Sequence, residues 1–454
     1  MEVFMDKIQL LQSRKQTLAN AGKRIREDIA KIIDPESLVE FSTFSFSKND
    51  FYGENAEGEG VITGFATVND YPFYVIAQNF AVLSGGLSKA NCAKIVKCLN
   101  AAEKNQTPVL YLLNTLGVQV GEGVEVLEGI SSLLLKVSQL KGVVPQYVVV
   151  NGEVYGSAAM LAAIADFTFF QKESVLALNS PLVLSASEGK NLSKKEIGSA
   201  KALDQTNIPS FEVNALEEVK ELIGTITDLL AVERVDAELN EVLPVLNEKA
   251  DPKTLFTMFE SYVEVGAGYA SSVHTLLGRI GGIAVAAILF DDSSKIDAFN
   301  MRKIKDFAEF ASCHSLPFVT FVDCVGLCPC RKNNNSLVLK EAGEYLAMLD
   351  SMDTPKIALV TGKAIGLGYS LFAAKSLGFD YTYAFANAKI ALFDSVQGAE
   401  IEFGGGADRE KLAKKYADEV SDPINAAKGG YIDNIIEPQF AKQYLIASLQ
   451  MLMA

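Results

Sequence analysis

The chain has 454 residues, 49% of them hydrophobic, and a formal net charge of −15. It can bury large cores and is too long for one ordinary domain of ~150 residues. The acidic balance excludes the broad basic field of a nucleic-acid binder, and no run of about 18 apolar residues offers a membrane span.

The N-terminal stretch MEVFMDKIQLLQSRKQ carries acids and lacks the uninterrupted apolar core of a secretory signal. Cys92, Cys98, Cys313, Cys324, Cys328 and Cys330 follow no secreted framework, so the cytoplasm is the expected compartment. The segment DCVGLCPC holds three of these cysteines but has no Cys-x-x-Cys pair and no nearby fourth thiolate. Ordinary buried thiols are therefore expected, and no metal site.

An internal repeat organises the rest of the chain. KIVKCLNAAEKNQTPVLYLLNTLG, from Lys94, matches KIKDFAEFASCHSLPFVTFVDCVG, from Lys303. Lys94/Lys303, Ile95/Ile304, Pro108/Pro317 and Gly117/Gly326 share an offset of 209 residues. VVPQYVVVNGEVYG and DTPKIALVTGKAIG then align through Pro145/Pro355, Gly152/Gly362 and Gly156/Gly366, at an offset of 210. A helix-like apolar run follows in each, and then Asp166-Phe-Thr-Phe or Asp380-Tyr-Thr-Tyr.

Each copy reads as helix, strand, crossover helix, strand, glycine turn, helix, strand. Apolar runs such as VLYLLN and YVVVN lack alternation, as strands buried on both faces do. Helical connections between such strands imply parallel pairing and right-handed crossovers. The stretch from Ser185 to Gly268 is charge-rich and helical in pattern. The expected class is α/β in two tandem units, residues 1–235 and 236–454.

The two glycine turns are the candidate site. A new helix leaves its first amides without partners four residues back, and its dipole favours negative charge there. The expected donors are the amides of Gly156 and Ser157 in the first copy and Leu367 and Gly368 in the second. No P-loop occurs, and GLG at Gly366–Gly368 supplies only half of a dinucleotide fingerprint. Two convergent amides suffice for a transient oxyanion on a carbonyl or thioester. The alternative is that these glycines only let helix and strand pack closely. Acid–base groups are scarce: His274 and His314 are the only histidines, and there is no Gly-x-Ser-x-Gly elbow. Glu122 and Glu125 read as members of a solvated face. Two oxyanion sites with few bases suggest that a substrate brings its own base.

These residues resemble a known family. VNGEVYGSAAMLAAIADF looks like the crotonase-type glycine turn, and the doubled arrangement is that of biotin-dependent carboxyltransferases, the acyl-CoA carboxylase and decarboxylase subunits. GKRIREDIAKIIDPESLVEF at Gly22, GEGVITGFATVNDYPFYVIAQNF at Gly58 and LGRIGGIAVAAILF at Leu277 are similar to its segments, as are PFVTFVDCVGLCP and DPINAAKGGYIDNIIEP. The resemblance implies two tandem crotonase-like domains (ClpP/crotonase ββα superhelices). It also implies that biotin, carried on a separate protein, delivers CO2 to the enolate of an acyl-CoA and that its ureido nitrogen takes the α-proton. By that analogy Gly156 and Ser157 serve the thioester, while Leu367 and Gly368, with Gly366, Gly326 and Leu327 nearby, serve biotin. Lys23 and Arg24 become candidates for CoA phosphate contacts. The implied partners are a biotin carboxyl carrier protein, a biotin carboxylase or a membrane decarboxylase subunit, and further copies of the chain in a dimer-based oligomer, commonly a hexamer. Sites are expected between the first copy of one subunit and the second copy of another.

The chain departs from the family pattern in places. Ser157 and Leu367 replace glycines, NTLGVQVGEG lacks a usual arginine, and FAKQ at Phe440 replaces a Thr-Arg. Ser370 occupies a position associated with acyl-chain choice. A crotonase-type hydratase or isomerase is disfavoured, because the position four after Gly156 is Met160 rather than glutamate. A non-catalytic assembly subunit of the same fold is the other alternative.

Overall fold

The computed structural model describes residues 2–45, 57–190, 192–327, 330, 337–404 and 408–454. The chain divides into two compact units, Met1–Thr227 and Asp228–Ala454.

The first unit is built on strands β1 Val39–Phe41, β2 Val61–Val68, β3 Tyr71–Gln78, β4 Val109–Thr115, β5 Gln146–Tyr155, β6 Phe167–Gln171, β7 Val175–Ala177 and β8 Phe211–Val213. Their order is β1-β2-β3-β4-β5-β6-β8, with β7 paired to the end of β5. The antiparallel β1–β2–β3 meander is followed by parallel pairing from β3 to β8. The second unit has β9 Ser261–Glu264, β10 Val273–Ile280, β11 Ile283–Phe290, β12 Ser294–Ile296, β13 Phe318–Leu327, β14 Lys356–Ile365, β15 Tyr381–Phe385, β16 Lys389–Ala391 and β17 Asn434–Ile436. Its order is β17-β15-β14-β13-β11-β10-β9, with β12 on β13 and β16 on β14.

Every residue of β11 is buried, as are nearly all of β4. Covered faces explain the unbroken apolar runs. In the first unit helices Lys89–Asn105 and Val124–Leu140 bring Ile95, Leu99, Leu133 and Val137 into one core with Tyr111 and Val148. Tyr147, Phe167, Phe169 and Phe211 stack in the same unit. In the second unit helix Ala441–Leu452 places Leu445 and Leu449 against Val285, Phe321 and Leu359.

The repeated residues make repeated bonds. Ser88 and Asp297 cap their helices, accepting from Asn91 N and Asn300 N. Buried Lys94 donates to the carbonyls of Gly58 and Val61, and buried Lys303 to those of Tyr269 and Val273. Asp166 accepts from Gln146 N at 2.7 Å, as Asp380 does from Lys356 N at 2.8 Å. Thr168 and Thr382, inside the Asp-aromatic-Thr-aromatic motif, donate to Ala162 O and Ala373 O. The shared letters are therefore polar groups that each satisfy a buried backbone partner.

Two features differ from expectation. Short strands β8 and β9 lie within the stretch that reads as helical, each paired at a sheet edge. Strands β7 and β16, just past the turns, also went unread. Their signal was the shared Ala-Leu at Ala177-Leu178 and Ala391-Leu392, in step with Asp166/Asp380.

Candidate active site

Strand β5 runs through Gly152 into Gly156, where a 3-10 turn Gly156–Ala158 leads into helix Ala159–Ile164. Strand β14 likewise runs through Gly362 to Gly366, which precedes helix Leu367–Phe372. Gly156 has φ +70° and Gly366 φ +54°, a region that favours glycine. Gly152 and Gly362 serve close packing: a Cβ there would fall 2.7 Å from the Asn114 side chain or 2.3 Å from that of Asp323.

The expected donors need one correction. Gly156 N–H donates to Leu178 O at 3.1 Å, and Gly366 N–H to Ala391 O at 2.8 Å. Pairing with the segments just past β7 and along β16 thus consumes the first amide of each turn. In the first copy this occupies Gly156 N–H, and the 3-10 turn that follows closes back on Tyr155 through the fully buried Ala158, so of the expected pair Ser157 is the one whose amide the turn leaves unused. In the second copy Leu367 and Gly368 open the helix after Gly366, Leu367 exposed and Gly368 buried. The register now agrees between copies: Ser157 corresponds to Leu367, and Ala158 to Gly368.

The second pair has a shaped surround. Gly326, at the end of β13 with φ +83°, lies across from it, and a Cβ on Gly326 would come 3.5 Å from Gly368 N and 3.7 Å from Leu367 N. A Cβ on Gly368 would meet Cys324 O at 2.8 Å. Missing side chains on both walls therefore let the two backbones approach closely, with Gly326 and Gly368 both buried. Leu327, half-buried, pairs with Ile296 of β12 beside this point. Tyr369 ties the helix to the C-terminal segment through Tyr431 O at 2.9 Å, and Asp433 accepts from Thr382 N at 2.7 Å. The C-terminal segment DPINAAKGGYIDNIIEP is thus a brace for the second turn.

Lys23 and Arg24 sit exposed in the first turn of helix Lys23–Ala30, without ion-pair partners among the described residues. That helix is fastened to β5 by Asn151 donating to Asp28 at 3.2 Å, five residues before Gly156. The helix that carries these two cations is therefore tied to the strand that ends in the first turn. Glu122 accepts from Lys89 N at the start of helix Lys89–Asn105, and Glu125 pairs with Lys89 Nζ. Both carboxylates are structural. His314 lies against Phe310, and burial pushes its imidazole down to about 4. His274 bridges Glu264 and Asp291 at 2.7 and 3.1 Å. Cys92, Cys98 and Cys324 are buried, each thiol pushed up to about 12 by burial. No group of three metal-ligating side chains is found among the described residues; Cys328 lies outside them.

Two parallel-rich units, each ending a strand in a glycine turn that starts a helix, have the crotonase-like arrangement. A model of the carboxyl transferase domain matches residues 18–454, and the chain belongs to that family. It is 27% identical to the methylmalonyl-CoA decarboxylase subunit alpha of Veillonella parvula, across 100% of this chain and 97% of that protein. It is 28% identical to the propionyl-CoA carboxylase carboxyltransferase subunit of Haloferax mediterranei, across 94% and 90%. Among solved structures, transcarboxylase 12S with methylmalonyl-coenzyme A and methylmalonic acid bound superposes with a TM-score of 0.90 at 23% identity, across 100% and 96%. The chain is an acyl-CoA carboxyltransferase in two tandem crotonase-like units.

Proposed function

We propose that the protein moves a carboxyl group between methylmalonyl-CoA and a biotin carried on a separate protein, the propionyl-CoA/methylmalonyl-CoA pair being its substrate couple. The carrying observation is the matched pair of glycine turns, one per unit, each opening a helical segment after β5 or β14 with Ser157 and Leu367 at equivalent places. The substrate class rests on the relatives, a methylmalonyl-CoA decarboxylase subunit and a propionyl-CoA carboxylase subunit. When bound, biotin supplies a carboxyl carrier and a ureido nitrogen able to exchange the α-proton. The residues around Leu367 and Gly368 fit such a group, since an added Cβ on Gly326 would stand at the amides it has to reach.

In the decarboxylating direction the bond from the α-carbon to the carboxylate breaks, and CO2 is released for the carrier. The bond's electrons pass to the thioester oxygen as an enolate, whose α-carbon would then take the ureido N–H proton. The Ser157 amide donates to that oxygen as its charge develops, where preorganised donors act most strongly. The Leu367 and Gly368 amides would hold the ureido oxygen of a bound biotin. Lys23 and Arg24, exposed on the helix tied to β5, contact CoA phosphates on an otherwise acidic chain. Both turns carry exposed apolar rims: Leu178 and Leu182 are 67% and 80% exposed, and Leu392 is 69% exposed. A second copy of the chain covers these rims, giving a dimer-based oligomer. The cytoplasm is its proposed compartment.

The test is incubation with free biotin and, separately, malonyl-, methylmalonyl- and glutaconyl-CoA. Biotin-dependent loss of the carboxyl group from methylmalonyl-CoA is expected. Binding of the thioesters without loss from any of them would instead mark a non-catalytic assembly subunit.

A further inference from the structure

We propose that Cys324 is the positioning residue of the Leu367/Gly368 amide pair, its sulfur holding the Gly326 turn so that the pair stays open. The proposal rests on the reading of that pair as the biotin-side oxyanion site. It begins from the end of β13, Cys324-Val325-Gly326-Leu327. Gly326 N–H donates to Cys324 Sγ at 3.2 Å, a two-residue side-chain turn with sulfur in the acceptor role. Cys324 also bounds the other wall, because a Cβ on Gly368 would fall 3.3 Å from Sγ and 2.8 Å from Cys324 O. One fully buried residue thus touches both glycines that frame the amides.

The repeat supplies an independent comparison. The position equivalent to Cys324 is Thr115, whose Oγ1 accepts from Gly117 N at 3.1 Å. Gly117 also has positive φ, +120°. The pairing β4–β5 slips between Leu113/Val150 and Thr115/Val154, and β13–β14 slips between Val322/Val360 and Cys324/Ala364. Both copies therefore end the central strand in an irregularity, an acceptor side chain and a glycine held by it. An acceptor at this place is a property of the design, and sulfur is this chain's choice in the second copy. The thiol is not a nucleophile: it is enclosed, and burial keeps it protonated.

The experiment compares Cys324→Val, which keeps volume and removes the acceptor, with Cys324→Thr, which copies the first unit. Free-biotin-dependent decarboxylation of methylmalonyl-CoA is measured in the full-length protein, after checking that each variant melts cooperatively. Cys324→Val is expected to lose about ten- to hundredfold in kcat/KM for biotin, the scale of a small misplacement, with KM for the thioester unchanged. Cys324→Thr is expected to restore most of it. Equal loss in both variants, or a loss confined to the thioester KM, overturns the proposal. Hydrogen exchange at the Gly326 amide gives a readout without turnover: Cys324→Val should speed it and Cys324→Thr should not. If the wild type shows no biotin-dependent turnover, the functional reading fails alone, and unchanged exchange in Cys324→Val overturns the positioning role by itself.

Discussion

At the residue scale, the proposed mechanism depends on backbone N–H groups and hardly on side chains. Leu367 is 48% exposed and begins its helix, the position where proline is best accepted. Leu367→Pro therefore deletes one donor with little steric cost. Ser157→Pro does the same in the first turn, behind a glycine that can adapt. Each variant should lose about 10²- to 10³-fold in kcat for carboxyl transfer, as single oxyanion donors do, while keeping its unfolding midpoint. Full activity in a folded Leu367→Pro protein would remove that amide from the mechanism. Gly156→Pro is a poorer probe, because φ +70° and the bond to Leu178 O both forbid proline there.

At the element scale, the buried lysines fasten each hairpin to its first helix. Lys303 Nζ donates to Tyr269 O at 2.8 Å and Val273 O at 2.7 Å, and burial pushes its ammonium down to about 8. Lys94 is held the same way, also down to about 8. An ordinary lysine titrates near ~10.4, so between these values the unfolded chain holds more protons and stability rises with pH. Lys303→Met orphans two buried carbonyls and should cost about 1–3 kcal/mol at pH 7.5. It also removes that rise, so the gap from wild type should widen between pH 8 and pH 10. Urea midpoints at the two ends of that range measure it; a constant gap would show that Lys303 keeps an ordinary pKa.

At the scale of the whole molecule, pH also acts through His274, half-buried between Glu264 and Asp291. The Glu264 hydrogen bond raises its pKa against the opposing effect of burial, and Asp291 adds to the rise. A histidine with a raised folded-state pKa contributes stability that is complete below its unfolded value of ~6.5 and fades as pH climbs through the folded value. His274→Gln should therefore lower the melting temperature more at pH 6 than at pH 9. Equal losses would assign His274 to packing against Phe256 alone. The oligomeric state is a second whole-molecule expectation: light scattering should give at least a dimer, and substituting Leu182 and Leu392 by Glu should weaken it. A wild-type monomer would leave the apolar rims unexplained.

Much of this architecture is written locally. Covered parallel strands need unbroken apolar runs, and a strand turning sharply into a helix needs glycine, so Gly156 and Gly366 announced both turns. Repetition at a fixed offset exposed the two units, because each repeated Lys, Pro, Asp or Thr satisfies the same backbone group in each copy. Which amides stay open was not legible there. That depended on Leu178 and Ala391, about twenty-five residues downstream, returning beside the turns to take the first amide of each. The Cys324–Gly326 wall was hidden for a related reason: its role arises only where β13 meets a helix forty residues later in the chain. Local chemistry selects the conformations a segment can adopt; only the folded neighbours determine which of its polar groups are left for a substrate.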